Sequence, residues 1–125
     1  MKFFEGKKRI LCVEDDKDTC DLLTFLLSDY QMIFTESIEK SLEVFNSQPF
    51  DLCILDNRLP DGSGTDLCKA IRLINPLIPI IFASGVAYPH EIQKSLDAGA
   101  QAYLTKPYSP DELEQIVKDL IEKIT

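Results

Sequence analysis

The chain of 125 residues is 45% hydrophobic, which is enough for one compact domain with a buried core and too short for two. We therefore expect a single domain over residues 1–125, with its core at about residues 9–124. The formal net charge is −8, from 21 acidic and 13 basic residues, and this disfavours direct binding to nucleic acid or to an anionic membrane.

Residues 1–9 contain a single apolar pair, Phe3 and Phe4, far short of the roughly 7 to 15 apolar residues of a secretory signal. No segment approaches the roughly 20 apolar residues that a membrane helix needs. The four cysteines lack metal-binding or paired spacing, which indicates reduced thiols: Cys12, Cys20, Cys53 and Cys68. We expect a cytoplasmic protein.

Five short apolar runs alternate along the chain with segments of helical periodicity. The runs are Ile10–Val13, Met32–Phe34, Leu52–Leu55, Ile78–Ala83 and Ala102–Leu104. Each is too continuously apolar for a sheet with one face in water, so both faces of the sheet should be covered by helices. The pattern predicts an α/β fold of five βα units, (βα)5, around a parallel sheet.

The segments after the runs predict five helices. Asp16–Leu27 is the first, and the second and third each carry an apolar stripe with i, i+4, i+7 spacing. The two stripes are Ile38, Leu42, Phe45 and Leu67, Ile71, Ile74. The fourth helix covers Pro89–Ala98, with Gly99 as its C-terminal cap.

The fifth helix has the clearest start signal. Ser109 is expected as N-cap, Pro110 as the first helical residue and Glu112 as the third. Its apolar face consists of Leu113, Ile116, Val117, Leu120, Ile121 and Ile124.

Polar residues follow four of the five predicted strands. Three acids, Glu14, Asp15 and Asp16, follow the first strand, and Asp56 follows the third; Ser84 and Lys106 follow the fourth and fifth. Taken singly, each has a simpler explanation as a helix cap or turn residue. In an open α/β sheet, however, the carboxyl ends of the strands border one crevice, so these groups should meet there.

Carboxylates gathered at one rim repel each other unless a cation lies between them. Mg2+ suits this oxygen-rich set better than zinc, because no histidine or cysteine is expected at the rim. Asp56 could then attack a phosphoryl group, with Mg2+ and Lys106 neutralising its oxygens and the Ser84 hydroxyl donating a hydrogen bond.

These residues resemble the response-regulator receiver domain of two-component signalling, the family that includes chemotaxis regulators. The matching motifs are Val13-Glu14-Asp15, Asp56, Ser84 and Lys106-Pro107, and the resemblance extends from about Arg9 to the end of the chain. It implies a doubly wound, flavodoxin-like fold with strand order 2-1-3-4-5.

The resemblance implies a Mg2+ site formed by Glu14, Asp15, Asp56 and the backbone carbonyl of Arg58. It also makes Asp56 the acceptor of a phosphoryl group from a sensor histidine kinase or a histidine phosphotransfer protein. Asp16 is then an extra acid that caps the first helix or lies at the rim. Such a protein phosphorylates and dephosphorylates itself and is not a turnover enzyme on an external substrate.

The resemblance further implies a switch and a phosphate site. Ser84 is both a phosphate ligand and a switch residue, Tyr103 is the aromatic switch residue, and Lys106 binds phosphate through a loop with a cis peptide bond to Pro107. The output surface is the fourth helix, fifth strand and fifth helix, which would contact an effector protein or a fused output domain, or form a phosphorylation-dependent homodimer.

Two positions beside the site lack a family consensus: the Arg58 side chain and Val86. They resemble the variable positions of the family that flank the path of attacking water, and we expect them to set how fast the aspartyl phosphate hydrolyses. His90 is the only histidine and is expected at the surface in the first turn of the fourth helix, so a donor histidine must come from another protein.

Three other functions compete with this interpretation. A phosphohydrolase of the haloacid dehalogenase type needs a second acid where this chain has Arg58. A flavin-binding module would place its phosphate against Glu14, Asp15 and Asp16, which repel it. A receiver that acts unphosphorylated as a docking module stays open.

Overall fold

The computed structural model describes residues 6–123 and contains one five-stranded sheet and a two-stranded hairpin. The strands of the sheet are β1 (Arg9–Val13), β2 (Gln31–Thr35), β3 (Leu52–Leu55), β6 (Ile80–Ser84) and β7 (Ala102–Thr105). They are all parallel, in the order β2-β1-β3-β6-β7. Because β6 and β7 are the fourth and fifth strands of this sheet, the predicted fold and strand order are confirmed.

Five helices connect and cover the strands: α1 (Lys17–Leu26), α2 (Ile38–Ser47), α3 (Gly64–Ile74), α4 (Pro89–Asp97) and α5 (Pro110–Lys123). The Asp16 carboxylate accepts the backbone N–H of Thr19 at 2.9 Å and caps α1. At α5, Ser109 Oγ accepts the N–H of Glu112 at 3.3 Å, as its N-cap role predicts. Ile124, expected on the same helix face, lies outside the described residues.

The strand residues alternate between two apolar layers, one on each face of the sheet. Ile10 and Cys12 of β1 pack in the layer covered by α1 and α5, whereas Leu11 and Val13 pack in the layer with α2 and α3. All four residues are at most 1% exposed. This burial on both faces explains why the strands are continuously apolar, and it fixes their carboxyl ends along one edge.

The strand predicted at Ile78–Ala83 is wrong at both ends, because the structure has it at Ile80–Ser84. Pro79 has no N–H to donate to the sheet, and the N–H of Ile78 instead donates to Oδ1 of Asn75 at 3.1 Å. The chain therefore makes a turn before it enters the sheet.

Ile74 is another correction, because it is 48% exposed and does not extend the buried stripe of α3. The helix ends at Ile74 because the next residue, Asn75, precedes Pro76 and is disfavoured in helical conformation. The buried residues of the stripe are Leu67, Cys68 and Ile71.

The hairpin of β4 (Arg58–Leu59) and β5 (Gly62–Ser63) lies in the loop after β3, which the sequence predicts only as a turn. Among residues 6–123, no helix is both long enough and apolar enough to cross a membrane. All four cysteines are unpaired thiols, and Phe3 and Phe4 lie outside the described residues.

Candidate functional site

Three charged side chains meet at the carboxyl edge of the sheet. Lys106 Nζ lies 2.7 Å from Oε1 of Glu14 and 3.5 Å from Oδ2 of Asp56. Glu14 directly follows β1, Asp56 follows β3 and Lys106 follows β7, so three separate strands deliver the cluster. The structure thus brings together residues that are 92 and 50 positions apart in the chain.

Backbone hydrogen bonds hold each of these residues in line with its strand. The bonds run from Glu14 N to Thr35 O at 2.9 Å, from Asp56 N to Val13 O at 3.2 Å and from Lys106 N to Ser84 O at 2.8 Å. Each continues the ladder one step past a strand. The Lys106–Pro107 peptide bond is cis, which is the geometry that the resemblance implied.

Glu14 is a buried carboxylate whose charge is compensated by Lys106. Its side chain is 5% exposed, and Oε2 also accepts the N–H of Asp16 at 3.2 Å. Partial burial alone would lower the pKa of Lys106, but the hydrogen bond to Glu14 and the charges of Asp56 and Glu14 outweigh it. The pKa of Lys106 is therefore raised, and the ammonium stays charged throughout the neutral range.

Asp56 presents two different carboxylate oxygens. Oδ1 accepts the backbone N–H of Arg58 at 3.3 Å, and Oδ2 faces Lys106. The side chain is 16% exposed, so it is oriented by the protein and still reachable from solvent. These are the properties that a carboxylate nucleophile needs.

The other two acids after β1 behave differently from Glu14. Asp15 and Asp16 are exposed. The pKa of Asp16 is lowered by hydrogen bonds from the side chain and the backbone of Thr19, which is consistent with its capping role. Asp16 is therefore engaged with α1.

The site contains carboxylate oxygens of the kind that bind Mg2+. Within residues 6–123, no three His, Cys, Asp or Glu side chains are grouped so that they could hold a metal ion. The carboxylates of Glu14 and Asp56 converge on Lys106 instead. Magnesium sites often use only one or two carboxylates together with water and phosphate oxygens, so the residues present fit Mg2+.

The hydroxyl of Ser84 is fully buried and lies against the backbone that follows Asp56. Its Oγ accepts the N–H of Asn57 at 3.4 Å and the N–H of Val86 at 3.2 Å. The structure therefore places Ser84 next to the loop of Asp56.

Tyr103 points its ring inward. Its hydroxyl donates to the carbonyl oxygen of Val86 at 2.7 Å, and its ring stacks on Phe82 with centroids 5.4 Å apart. The amide of Asn57 donates to the same hydroxyl at 3.3 Å. The phenol is thus hydrogen-bonded within the protein.

A cleft of about 640 Å³ opens between the loop after β3 and the start of α4. Arg58, Val86 and Tyr88 are among the residues that line it, so both variable positions share a cleft with Asn57, the residue after Asp56. The side chain of His90 is 75% exposed, with Nε2 3.3 Å from Oε1 of Glu91, and its predicted surface position is confirmed.

Asp61 and Gly64, which follow Asp56 in the chain, make tertiary contacts that the sequence did not predict. The Asp61 carboxylate accepts the N–H groups of Ile38 and Glu39 at 2.9 and 3.1 Å and so caps α2 from the neighbouring loop. A Cβ at Gly64 would collide with the carbonyl oxygen of Asp56. In the sequence, Asp61-Gly62 indicates only a turn. The N–H groups that Asp61 binds belong to residues 23 and 22 positions earlier, so the sequence does not reveal the cap.

A buried polar group behind Asp56 was also missed. Asn57, Thr65 and Ser95 are at most 5% exposed and are hydrogen-bonded to one another. The signal that was available is a second polar residue, Asn57, directly after Asp56 at the end of a fully apolar strand.

Comparison with known proteins assigns the family. The family model described as "Response regulator receiver domain" matches residues 10–118. The response regulator protein PilR of Pseudomonas aeruginosa is 32% identical over 90% of this chain, and the alkaline phosphatase synthesis transcriptional regulatory protein PhoP of Bacillus subtilis is 31% identical over 93%. The matches cover 26% of PilR and 49% of PhoP, so the chain spans half or less of each relative.

The same family emerges from solved structures. The CheY-like response regulator receiver domain protein of Methanospirillum hungatei superimposes with a TM-score of 0.89 and 30% identity, covering 94% of this chain and 96% of that one. These relatives are response regulators and not enzymes that turn over an external substrate. The chain belongs to the response regulator receiver domain family.

Proposed function

We propose that residues 1–125 form one receiver domain that accepts a phosphoryl group on Asp56 from a phosphohistidine of a sensor histidine kinase or histidine phosphotransfer protein. The observation that carries this proposal is the convergence of Asp56 and the buried Glu14 on Lys106 at the strand ends. Family membership supports it, because receiver domains of response regulators act with sensor kinases and output effectors.

In the proposed reaction, a carboxylate oxygen of Asp56 attacks the phosphorus atom. A new O–P bond forms while the P–N bond of the donor histidine breaks, and the electron pair of that bond returns to the imidazole nitrogen, which takes up a proton. Catalysis rests on positioning and charge neutralisation. The backbone N–H of Arg58 orients Asp56, and the raised pKa of Lys106 keeps a positive charge beside the attacking carboxylate.

We assign the magnesium ligands to the carboxylates of Glu14, Asp15 and Asp56 and to the carbonyl oxygen of Arg58. The bound ion would neutralise charge on the phosphoryl oxygens. Glu14 contributes a carboxylate that is already desolvated and oriented by Asp16 N–H and Lys106. Asp15 adds an exposed carboxylate next to it.

The proposed switch links Ser84 to Tyr103. Ser84 Oγ accepts hydrogen bonds from the backbone N–H groups of Asn57 and Val86. These two bonds would break when the hydroxyl turns towards a phosphate oxygen. The same Val86 accepts the hydroxyl of Tyr103, so a change at Ser84 reaches the aromatic ring through one residue. The surface of α4, β7 and α5 would then change its conformation.

The output belongs to the same proposal. We infer that this surface contacts an effector protein or an output domain fused to the receiver, or forms a phosphorylation-dependent homodimer. A cytoplasmic location is supported by the four unpaired cysteines, which are typical of a reducing compartment. The comparisons give no support to the hydrolase or flavin-binding alternatives.

Intact mass spectrometry after incubation with acetyl phosphate and Mg2+ tests the proposal. The unmodified protein should gain the mass of one phosphoryl group, and Asp56→Ala should gain none. Asp97→Ala is a matched control at the exposed end of α4 and should behave like the unmodified protein. A chain that stays unmodified under these conditions would support the unphosphorylated docking module instead.

A further inference from the structure

Four polar side chains meet behind Asp56, and we call them the amide network: Asn57, Thr65, Ser95 and Tyr103. They come from the loop after β3, from α3, from α4 and from β7. Asn57, Thr65 and Ser95 are 5%, 4% and 0% exposed. Buried polar groups need hydrogen bonds, so these four elements are tied to one another's positions.

The bonds of the amide network fall into two classes by length. Thr65 Oγ1 and Ser95 Oγ are 2.8 Å apart. The three contacts of the Asn57 side chain are longer, at 3.4 Å to Thr65, 3.4 Å to Ser95 and 3.3 Å to Tyr103. Hydrogen bonds of this kind are usually about 2.7–3.2 Å long, so Asn57 is the loosely held member.

The hydroxyl protons allow two arrangements of the same atoms. The Thr65 hydroxyl can donate either to Oδ1 of Asn57 or to Oγ of Ser95. The Ser95 hydroxyl can donate either to Oγ1 of Thr65 or to the carbonyl oxygen of Glu91, which is 3.1 Å away. When Ser95 donates to Glu91, Thr65 donates to Ser95. When Ser95 donates to Thr65, Thr65 donates to Asn57. Rotation of two hydroxyl groups therefore makes or breaks the Thr65–Asn57 hydrogen bond and exchanges the acceptor of the Ser95 hydroxyl between Thr65 and Glu91.

Asn57 is also in direct contact with the phosphoacceptor pocket. It follows Asp56 in the chain, and its N–H donates to Ser84 Oγ at 3.4 Å. Its carbonyl oxygen accepts the N–H of Gly64 at 2.8 Å. A movement of Asp56 or of the Ser84 hydroxyl acts on Asn57 through its backbone.

The attachment of α4 makes it responsive to such a movement. Ser95 is the only buried residue of α4, whereas α3 has five buried residues and α5 has three. The innermost contact of α4 is therefore a hydrogen-bonded hydroxyl and not a fully buried apolar side chain. Elements with few buried apolar contacts are the ones that open or shift most readily.

We propose that Asn57 is a positioning residue that couples the state of Asp56 to α4 through Thr65 and Ser95. The inference rests on the proposed phosphorylation of Asp56. When Ser84 turns towards the phosphate, the N–H of Asn57 loses its acceptor. The Asn57 side chain then moves relative to Thr65 and Ser95, and the change of hydrogen-bond partners shifts α4.

Two substitutions remove one hydroxyl each from the amide network: Ser95→Ala and Thr65→Val. Ser41→Ala in α2 is a matched control, because Ser41 is also 0% exposed, lies 2.7 Å from the Thr35 hydroxyl and donates to a carbonyl oxygen one turn back, that of Ser37, at 2.6 Å. It carries the same kind of bonds on a different helix. Thr65→Ser keeps the hydroxyl and serves as the conservative rescue.

The experiment measures the change in α4 amide chemical shifts by NMR after phosphorylation with acetyl phosphate and Mg2+, with the phosphorylated fraction fixed by intact mass. We expect full shifts in the unmodified protein, Ser41→Ala and Thr65→Ser. In Ser95→Ala and Thr65→Val the shifts should fall about fivefold at equal phosphorylation. If Ser95→Ala does not fold, the Thr65→Val and Thr65→Ser pair decides alone.

The outcomes separate this inference from the function on which it rests. Full phosphorylation with unchanged α4 shifts in Thr65→Val would overturn the coupling role of the amide network and leave phosphorylation at Asp56 intact. Absence of any mass gain in the unmodified protein would overturn the proposed function and this inference with it.

Discussion

Lys106 Nζ lies 2.7 Å from Oε1 of Glu14, a carboxylate that is only 5% exposed. A buried charge without a partner costs far more than one in water, so Lys106 provides the opposite charge that the buried Glu14 carboxylate needs. The same ammonium reaches Asp56. Lys106 therefore both stabilises the buried Glu14 and lies beside the proposed nucleophile, Asp56.

Replacing Lys106 with methionine should lower the free energy of unfolding by about 2 kcal/mol at neutral pH, because it removes a charged hydrogen bond. The raised pKa means that this stabilisation is present below the ordinary value of 10.5 and disappears as the pH rises through the folded-state pKa. Urea unfolding of both proteins across that range measures it. Lys118→Met, at an exposed position of α5, is the control. If the difference in free energy of unfolding between the unmodified protein and Lys106→Met stays constant above pH 10.5, the role of Lys106 is contradicted.

Asp61→Asn should destabilise the protein at neutral pH by weakening the cap of α2. The N–H groups of Ile38 and Glu39 lower the pKa of Asp61, so its contribution is present above 3.8 and lost as the pH falls through the lower folded-state pKa. Unfolding curves of the two proteins should therefore converge in acid. Asp29→Asn, in the exposed turn before β2, is the control variant. Equal stability of Asp61→Asn and the unmodified protein at neutral pH would reject the cap.

Gly64→Ala should cost about 3 kcal/mol, because its Cβ would collide with the carbonyl oxygen of Asp56 and with Phe82. Gly85→Ala is the matched control, since a Cβ at Gly85 meets nothing within 4 Å. Thermal unfolding of both variants makes the comparison. A Gly64→Ala variant as stable as Gly85→Ala would contradict this prediction, because the backbone at Asp56 would then have to shift without cost.

Truncating the variable side chains should accelerate loss of the phosphoryl group from Asp56. Arg58 and Val86 both line the cleft next to Asn57, and the family resemblance puts them beside the path of attacking water, so Arg58→Ala and Val86→Ala should widen that path. The decay of the phosphorylated mass after removal of acetyl phosphate gives the rate. The expectation fails if neither variant differs from the unmodified protein.

The sequence predicted the elements whose signals are local. The apolar runs at Ile10–Val13 and Leu52–Leu55 correspond to strands, and the Ser109 signal corresponds to the start of α5. Boundaries shifted where proline intervened, as at Pro79, because a missing N–H acts on sheet pairing and not on hydrophobic pattern.

Features that depend on tertiary contacts could not be predicted in the same way. Asp61 caps a helix that begins 23 residues earlier, and the partners of the Asn57 side chain lie 8 to 46 residues away. The two-residue strands β4 and β5 are too short for any periodicity. The charged residues at the rim were predictable because parallel strands deliver their carboxyl ends to one edge.

Mapping the modified residue tests the central claim most directly. After incubation with acetyl phosphate and Mg2+, borohydride reduction converts an aspartyl phosphate to homoserine, and peptide mass spectrometry then identifies its position. We predict homoserine at position 56 and nowhere else. Homoserine at another aspartate, or an undiminished phosphoryl mass gain in Asp56→Asn, would contradict the account.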